Sequence, residues 1–333
     1  MIERMDGEHL DELFEKRWSP EFTSLRLVSD QAWKKLDDGE RDLNTFFTGS
    51  GGAEAESVRE FCRGMNFRNE EIGIYDAGQQ KVWLDDRSGG LGHKENGDAR
   101  QYENPLTATG LYQALKILRF NHNDLPDAAR RLIYITDLDP ACICALIATA
   151  SYTQIPVLKN AIYKHLVFHT SIAVKIPSIG FRTFQLDLHL PFFLLRISTP
   201  PEESIEKVNT KPQRRWIDVS FLKLDTSEIH PGEVWGIQEA QISCVVTGLD
   251  DWRWVTYSFI DTEVDGFLAD LSEDDLRFDQ IAAMELDACH PILTPRDYWL
   301  KVFGIRIQQV NEAWEYLIYK VELVIYQYVR TYT

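Results

Sequence analysis

The C-terminal region carries the pattern that most restricts how this chain can fold. After Pro295 the chain contains no further proline and a single glycine, Gly304. Apolar side chains recur at alternating steps of three and four residues, at Leu300, Phe303, Ile307, Val310, Trp314, Leu317, Val321, Val324 and Tyr328. This heptad seam predicts one long amphipathic stalk helix within residues 291–333, about 54 Å long between residues 295 and 330.

A long helix cannot usually bury so narrow an apolar edge on a compact domain, so the seam also predicts self-association. We expect a homo-oligomer in which the eight seam residues from Phe303 to Tyr328 meet their counterparts in other copies. The alternative is a terminal helix that lies on the chain's own sheet, which the apolar residues off the seam (Ile305, Ile318 and Ile325) favour. In either arrangement Gly304 costs the helix up to ~1 kcal/mol relative to alanine.

The charge balance excludes several classes of partner. Among 333 residues, 52 are acidic and 35 are lysine or arginine, a formal net charge of -17. A general nucleic-acid binder needs a basic surface, and so does a protein that docks on anionic lipid through charge. We find no run of ~18 uncharged apolar residues that could span a membrane, and the cysteine count of five is odd. We therefore expect a soluble cytoplasmic domain with reduced thiols.

The order of predicted elements indicates three parts. Residues 1–100 read as a loosely organised segment of short helices and glycine-rich loops, residues 101–290 as a sheet domain, and residues 291–333 as the helix. In the middle part a strand at 131–136 is followed by a helix that Asp139 caps and Pro140 begins. Later strands include a hairpin around residues 248–251. The predicted fold class is α+β of the α/β/α type, with a mixed or largely antiparallel sheet flanked by helices.

An acidic segment suggests a site for a divalent cation. Residues 250–287 hold twelve acidic side chains against two arginines, and Asp261, Glu263 and Asp265 have the spacing of the first oxygen ligands of an EF-hand loop. The twelfth loop position is Ser272, so a complete EF-hand is not expected. We predict that these three carboxylates form a looser site for a hard cation such as Mg²⁺, and the alternative is a solvated acidic loop.

No set of residues in the sequence predicts catalysis. The chain has no HExxH zinc motif, no GxSxG nucleophile turn and no complete P-loop. The eight histidines are expected to be structural or on the surface. We therefore predict that the protein is not an enzyme and carries no catalytic residues or organic cofactor.

Three stretches together resemble the CorA-like transporter domain that occurs in many fungal proteins. They are residues 131–151 (RLIYITDLDPACICALIATAS), 164–196 (KHLVFHTSIAVKIPSIGFRTFQLDLHLPFFLLR) and 294–314 (TPRDYWLKVFGIRIQQVNEAW). The resemblance implies a cytoplasmic α/β/α domain that leads into a long stalk helix, which enters the membrane. It also implies assembly as a pentamer and transport of Mg²⁺, with Mg²⁺ bound between cytoplasmic domains as a gate sensor.

The pore signature of that family does not carry over. A Gly-Met-Asn tripeptide occurs at residues 64–66, but no apolar span precedes it, and we interpret it as a coincidence. Any membrane segments are expected beyond residue 333, outside this chain. The prediction is thus a non-catalytic CorA-like domain that oligomerises and senses Mg²⁺. The alternative is a cytoplasmic interaction or scaffold protein that keeps the fold without transport.

Overall fold

The computed structural model describes residues 52–62, 79–89, 96–151, 153–176, 183–200, 214–224, 230–266 and 268–332. Most of the N-terminal segment predicted at 1–100, including the tripeptide at 64–66, lies outside these residues. The described part of that segment nevertheless contributes one helix and one strand to the sheet domain, so the domain includes residues that precede position 101.

Within the described residues, seven strands form one mixed sheet. They are β1 (Val82–Arg87), β2 (Arg130–Thr136), β3 (Ser171–Lys175), β4 (Phe184–Ser198), β5 (Trp216–Asp218), β6 (Val234–Gly248) and β7 (Trp254–Ile260). The strand order is β1-β2-β7-β6-β4-β3, and β5 pairs with β6 beside β7. Every pairing among these strands is antiparallel except the parallel pair β2–β7. The predicted α+β class with a mixed, largely antiparallel sheet is confirmed.

Four helices cover one face of the sheet: α1 (Gly52–Phe61), α2 (Ala108–Lys116), α3 (Pro140–Thr149) and α4 (Ile155–Leu166). The start of α3 agrees with the sequence prediction, because Asp139 accepts a hydrogen bond from the backbone N–H of Cys142 at 2.7 Å and Pro140 occupies the first turn. The opposite face is covered by the single turn α5 (Thr262–Asp265), by short 3₁₀ turns between residues 268 and 282, and by α6 (Pro295–Tyr332).

Strands β4 and β6 form a ribbon that is much longer than the rest of the sheet. All fifteen residues of each strand are paired, from Phe184 opposite Gly248 to Ser198 opposite Val234. Strand β3 begins at Ser171 opposite His189, so Pro191 lies beyond the pairing with β3, where β4 has no neighbour on that side and a missing N–H is tolerated. The ribbon therefore has two halves, one inside the main sheet and one flanked by β5.

The predicted C-terminal helix is confirmed as one continuous element. Helix α6 has 38 residues, which corresponds to about 57 Å, and it passes through Gly304 without interruption. A methyl group added to Gly304 would meet no atom within 4 Å. Among the described helices, none is both long and apolar enough to cross a membrane.

Candidate functional site

The first turns of α6 are anchored in the core of the domain. Tyr298, Trp299, Val302 and Ile305 are buried against the sheet face that the four other helices leave uncovered. Arg306 follows directly and is fully buried. Its guanidinium donates to the carbonyls of Gln280 and Ile281, each at 2.8 Å. The root of the helix is thus held by both apolar contact and hydrogen bonds.

Asp265 is the carboxylate that compensates the charge of Arg306. Nη1 of Arg306 lies 2.8 Å from Oδ1 of Asp265, while Tyr134 and Gln309 donate to the same carboxylate at 2.9 Å. Burial alone would raise the pKa of Asp265, but the arginine and these hydrogen bonds lower it. Its oxygens are therefore engaged by groups of the protein itself.

The other two residues of the predicted cation site have separate surroundings. Asp261 is buried and accepts hydrogen bonds from Nε of Arg214 at 2.6 Å and from the backbone N–H of Gln241 at 2.7 Å. Burial alone would raise the pKa of Asp261, but the facing His165 and Arg214 lower it to about 2. Glu263 lies half-buried on α5.

The cation site predicted at Asp261, Glu263 and Asp265 gains no support from this geometry. Two of its three carboxylates form ion pairs with arginines. Across the described residues, no group of three or more histidine, cysteine, aspartate or glutamate side chains is placed to hold a metal ion. A Mg²⁺ ion would have to displace both Arg214 and Arg306 to reach both aspartates.

The predicted heptad seam divides into two rows. The row formed by Phe303, Val310, Leu317 and Val324 packs against the chain's own sheet. The intervening residues Ile307, Trp314 and Tyr328 are exposed, and Val321 is half-buried. One row of the seam therefore makes the intramolecular contact that was the alternative interpretation of the sequence, and only the other row faces outward.

A second pattern on α6 is exposed along the whole helix. We define the outer stripe as Leu300, Ile307, Trp314, Ile318, Ile325 and Val329, whose side chains are between 38% and 59% exposed. These residues follow one another at steps of 7, 7, 4, 7 and 4, which keeps them within a narrow arc of the helix. The stripe extends for about 44 Å. The sequence did show Ile318 and Ile325, but as residues off the predicted seam.

A buried polar cluster, which was not predicted from the sequence, lies between α4 and the sheet. Oγ of Ser243 lies 3.0 Å from Nδ1 of His165 and 2.9 Å from Nδ1 of His189. One hydroxyl carries one hydrogen, so Ser243 donates to one imidazole and accepts from the other. Nε2 of His165 lies 3.5 Å from Oδ1 of Asp261, at the outer limit of hydrogen-bonding distance. Burial lowers the pKa of both histidines.

In this cluster a serine contacts a histidine, which in turn lies near an aspartate, but all three side chains are buried in the protein core. Ser243, His165 and Asp261 are at most 1% exposed, and they lie beneath α4. A nucleophile must reach its substrate, and here the helix and the strands exclude one. The residues His165 and Ser243 were not recognised from the sequence because they are 78 positions apart. The cluster connects α4 to β4, β6 and the end of β7.

The chain matches no protein family, no curated protein and no solved structure. The functional interpretation therefore depends on two features of the structure, which are the anchored root of α6 and its outer stripe.

Proposed function

We propose that this chain is the non-catalytic head of a self-assembling protein, in which α6 joins the copies. In the described residues a mixed sheet between helices carries a 38-residue helix whose root is buried and whose outer half is largely exposed. This is the organisation that the resemblance to CorA-like transporter domains implies for a cytoplasmic domain with its stalk. The proposal concerns assembly, and it assigns no transport to this chain.

The outer stripe is the observation that supports the proposal. A monomeric protein rarely leaves a long row of apolar side chains in contact with water, because their burial is favourable by about 25 cal/mol per Å². The stripe repeats at the spacing of helix packing, and a second α6 presents the same spacing. A copy of this chain is therefore the occupant that matches the length and period of the stripe.

The polar side of α6 supports the same orientation. Gln308 donates to Glu312 at 3.0 Å and Asn311 donates to Glu315 at 2.7 Å, both between exposed side chains four residues apart. Such pairs stabilise a helix surface that stays in water. The helix thus has one side on the sheet, one polar side, and the outer stripe between them.

The Mg²⁺-sensing part of the sequence prediction does not enter the proposal. Asp261 and Asp265 each form an ion pair with an arginine, so Mg²⁺ could bind to both carboxylates only if both ion pairs opened. Calorimetric titration with Mg²⁺ at millimolar concentration measures this directly, and we expect no heat from these residues.

Sedimentation velocity of the full chain tests the assembly. We expect the wild-type protein to associate at micromolar concentration and Ile318→Lys to sediment as a monomer, because the new charge interrupts the stripe at an exposed position that makes no core contact. Glu315→Gln is the matched control, since it changes the net charge by the same amount on the polar side. Weak contacts between helices have dissociation constants on the order of micromolar. A wild-type protein that stays monomeric at about 50 μM would therefore refute the proposal.

A further inference from the structure

The two outer strands of the sheet differ in how their backbone edges are covered. The strand order ends at β1 on one side and at β3 on the other. Residues 98–106 run along β1 and form backbone hydrogen bonds with Val82 and Asp86 at 2.6–3.0 Å. The side-chain amide of Asn104 bonds both backbone groups of Leu84, at 2.9 Å and 3.0 Å. The chain itself thus closes this edge, which prevents another strand from pairing with it.

The outer edge of β3 has no such cover in the described part of the chain. Strand β3 (Ser171–Lys175) pairs with β4 on one side, and no described residue forms a backbone hydrogen bond with its other side. In an antiparallel pairing every second residue directs its N–H and its C=O to the same neighbour. Five residues therefore offer about four to six backbone hydrogen bonds to an added strand.

One face of β3 is apolar and continues the core outward. Ile172 and Val174 lie opposite Leu188 and Leu186, which belong to the core on the side of α6. The side chains of Ile172 and Val174, and that of Ile176 just beyond the strand, are between 51% and 60% exposed. An added strand with apolar residues at alternate positions would cover them, because cross-strand neighbours on one face pack together.

The other face of β3 carries positive charge. Lys175 is half-exposed, and its Nζ lies 3.5 Å from Oδ2 of Asp187, which Nζ of Lys164 approaches to 3.1 Å. Two ammonium groups thus share one carboxylate, so one positive charge is not neutralised. The sequence contains no aspartate or glutamate between Asp139 and Asp187, although the net charge of the chain is -17. This edge is therefore a basic site on an acidic protein, and it attracts negatively charged partners.

We propose that β3 is a docking edge for an extended segment of an acidic partner protein, which adds to the sheet as a further strand. In such a segment apolar residues alternate with acidic ones. The apolar side chains lie beside Ile172 and Val174, and the carboxylates lie on the face of Lys175. A second copy of β3 fits less well, because two basic edges repel each other. The proposal is independent of assembly through α6, since β3 belongs to the head.

Fluorescence anisotropy with the full chain tests the proposal. The probe is a short labelled peptide in which valine alternates with glutamate. We expect saturable binding with a dissociation constant on the order of 100 μM or tighter, and weaker binding at high salt because salt screens exposed charges. A peptide with lysine in place of glutamate, and one whose edge-facing amides are N-methylated, are each expected to bind about tenfold more weakly.

Amide hydrogen exchange locates the bound peptide. Saturation with the valine–glutamate peptide is expected to slow exchange in residues 171–175 and to leave exchange in residues 82–87, at the covered edge, unchanged. Exchange in residues 171–175 that slows with rising protein concentration alone would show that a second copy occupies the edge, and it would overturn the proposal.

Two pairs of variants separate this edge from the rest of the surface. Val174→Glu is expected to weaken peptide binding about tenfold, whereas Leu118→Glu places the same charge at an exposed leucine outside the sheet and leaves binding unchanged. Lys175→Gln is expected to weaken binding about threefold, whereas Lys301→Gln, at an exposed position of α6, leaves it unchanged. Absence of binding by the valine–glutamate peptide at about 1 mM, or equal losses within either pair of variants, would overturn the proposal.

Discussion

Arg306 of α6, which is fully buried, and Asp265 of α5, which is largely buried, form an ion pair with Nη1 and Oδ1 2.8 Å apart. The pair lies within one turn of Gly304, and it connects the long helix to the segment that follows β7. Because the same guanidinium also donates to two main-chain carbonyls, one side chain fixes the helix to three separate points of the head.

We expect Arg306→Met to destabilise the protein by about 3–5 kcal/mol. The variant keeps the apolar stem but leaves the largely buried Asp265 without its arginine, which is the costly way to break such an ion pair. Urea denaturation followed by circular dichroism measures the loss in free energy of unfolding.

Two further variants control this experiment. Arg330→Gln removes an exposed arginine near the end of α6 and is expected to change stability by less than about 0.5 kcal/mol. Adding Asp265→Asn to Arg306→Met removes the unpaired charge, so the double variant should be more stable than additivity of the two single variants predicts. A loss below about 1 kcal/mol in Arg306→Met would contradict the role of this pair.

The buried histidines make stability depend on pH. Burial lowers the pKa of His165 and His189 below the usual 6.5, so in acid the unfolded chain takes up protons before the folded protein does. Stability is therefore fully present above about pH 6.5 and falls as the pH decreases below it, by up to about 1.4 kcal/mol per pH unit for each histidine. Thermal denaturation between pH 7.5 and 5 records this fall.

His189→Asn is expected to reduce that slope, since the amide can still donate to Ser243 but does not titrate. His230→Asn, at an exposed position, should leave the slope as it is in the wild type. If the slope between pH 7.5 and 5 is the same in all three proteins, the fall arises elsewhere. Asp261, whose pKa is lowered to about 2, contributes stability that is lost at lower pH, from about 4 downward.

Gly304→Ala is expected to stabilise the protein by about 0.5–1 kcal/mol. Gly304 lies inside a regular helix, and the added methyl group meets no atom within 4 Å, so alanine gains helix propensity without a clash. The change is measured as a higher midpoint of urea denaturation at unchanged slope. A loss of stability that grows with protein concentration would instead place a neighbouring copy against this position.

The sequence predicted the elements whose signals are local. The heptad spacing located α6, Asp139 and Pro140 located the start of α3, and the Gly-Leu-Asp-Asp turn located the hairpin of β6 and β7. Pro191 usually interrupts a central strand, yet β4 continues through it to Ser198. The continuation of β4 depends on its pairing with β3 stopping at the pair of Ser171 and His189, which is a property of the assembled sheet.

The arrangement around α6 could not be read from the chain because it depends on distant partners. Two apolar rows on α6 have the same spacing. Only the position of the sheet decides that the row with Val310 and Leu317 is the packed one. Arg306 has the sequence signature of a surface residue, yet it is buried because Gln280, Ile281 and Asp265 supply its acceptors. Two of the three carboxylates of the predicted cation site likewise form ion pairs with arginines that are 41 and 47 residues away in the sequence.

The long pairing of β4 with β6 has a mechanical consequence for α6. One half of the ribbon supports the helix near Val302, and the other half, through Leu195 and Trp235, lies in the cluster that Leu317 and Val324 join. Because α6 contacts the ribbon at two separated points, it cannot rotate about either of them. The twist of the ribbon therefore sets the direction in which the free end of α6 leaves the head, and every copy of the protein inherits the same angle.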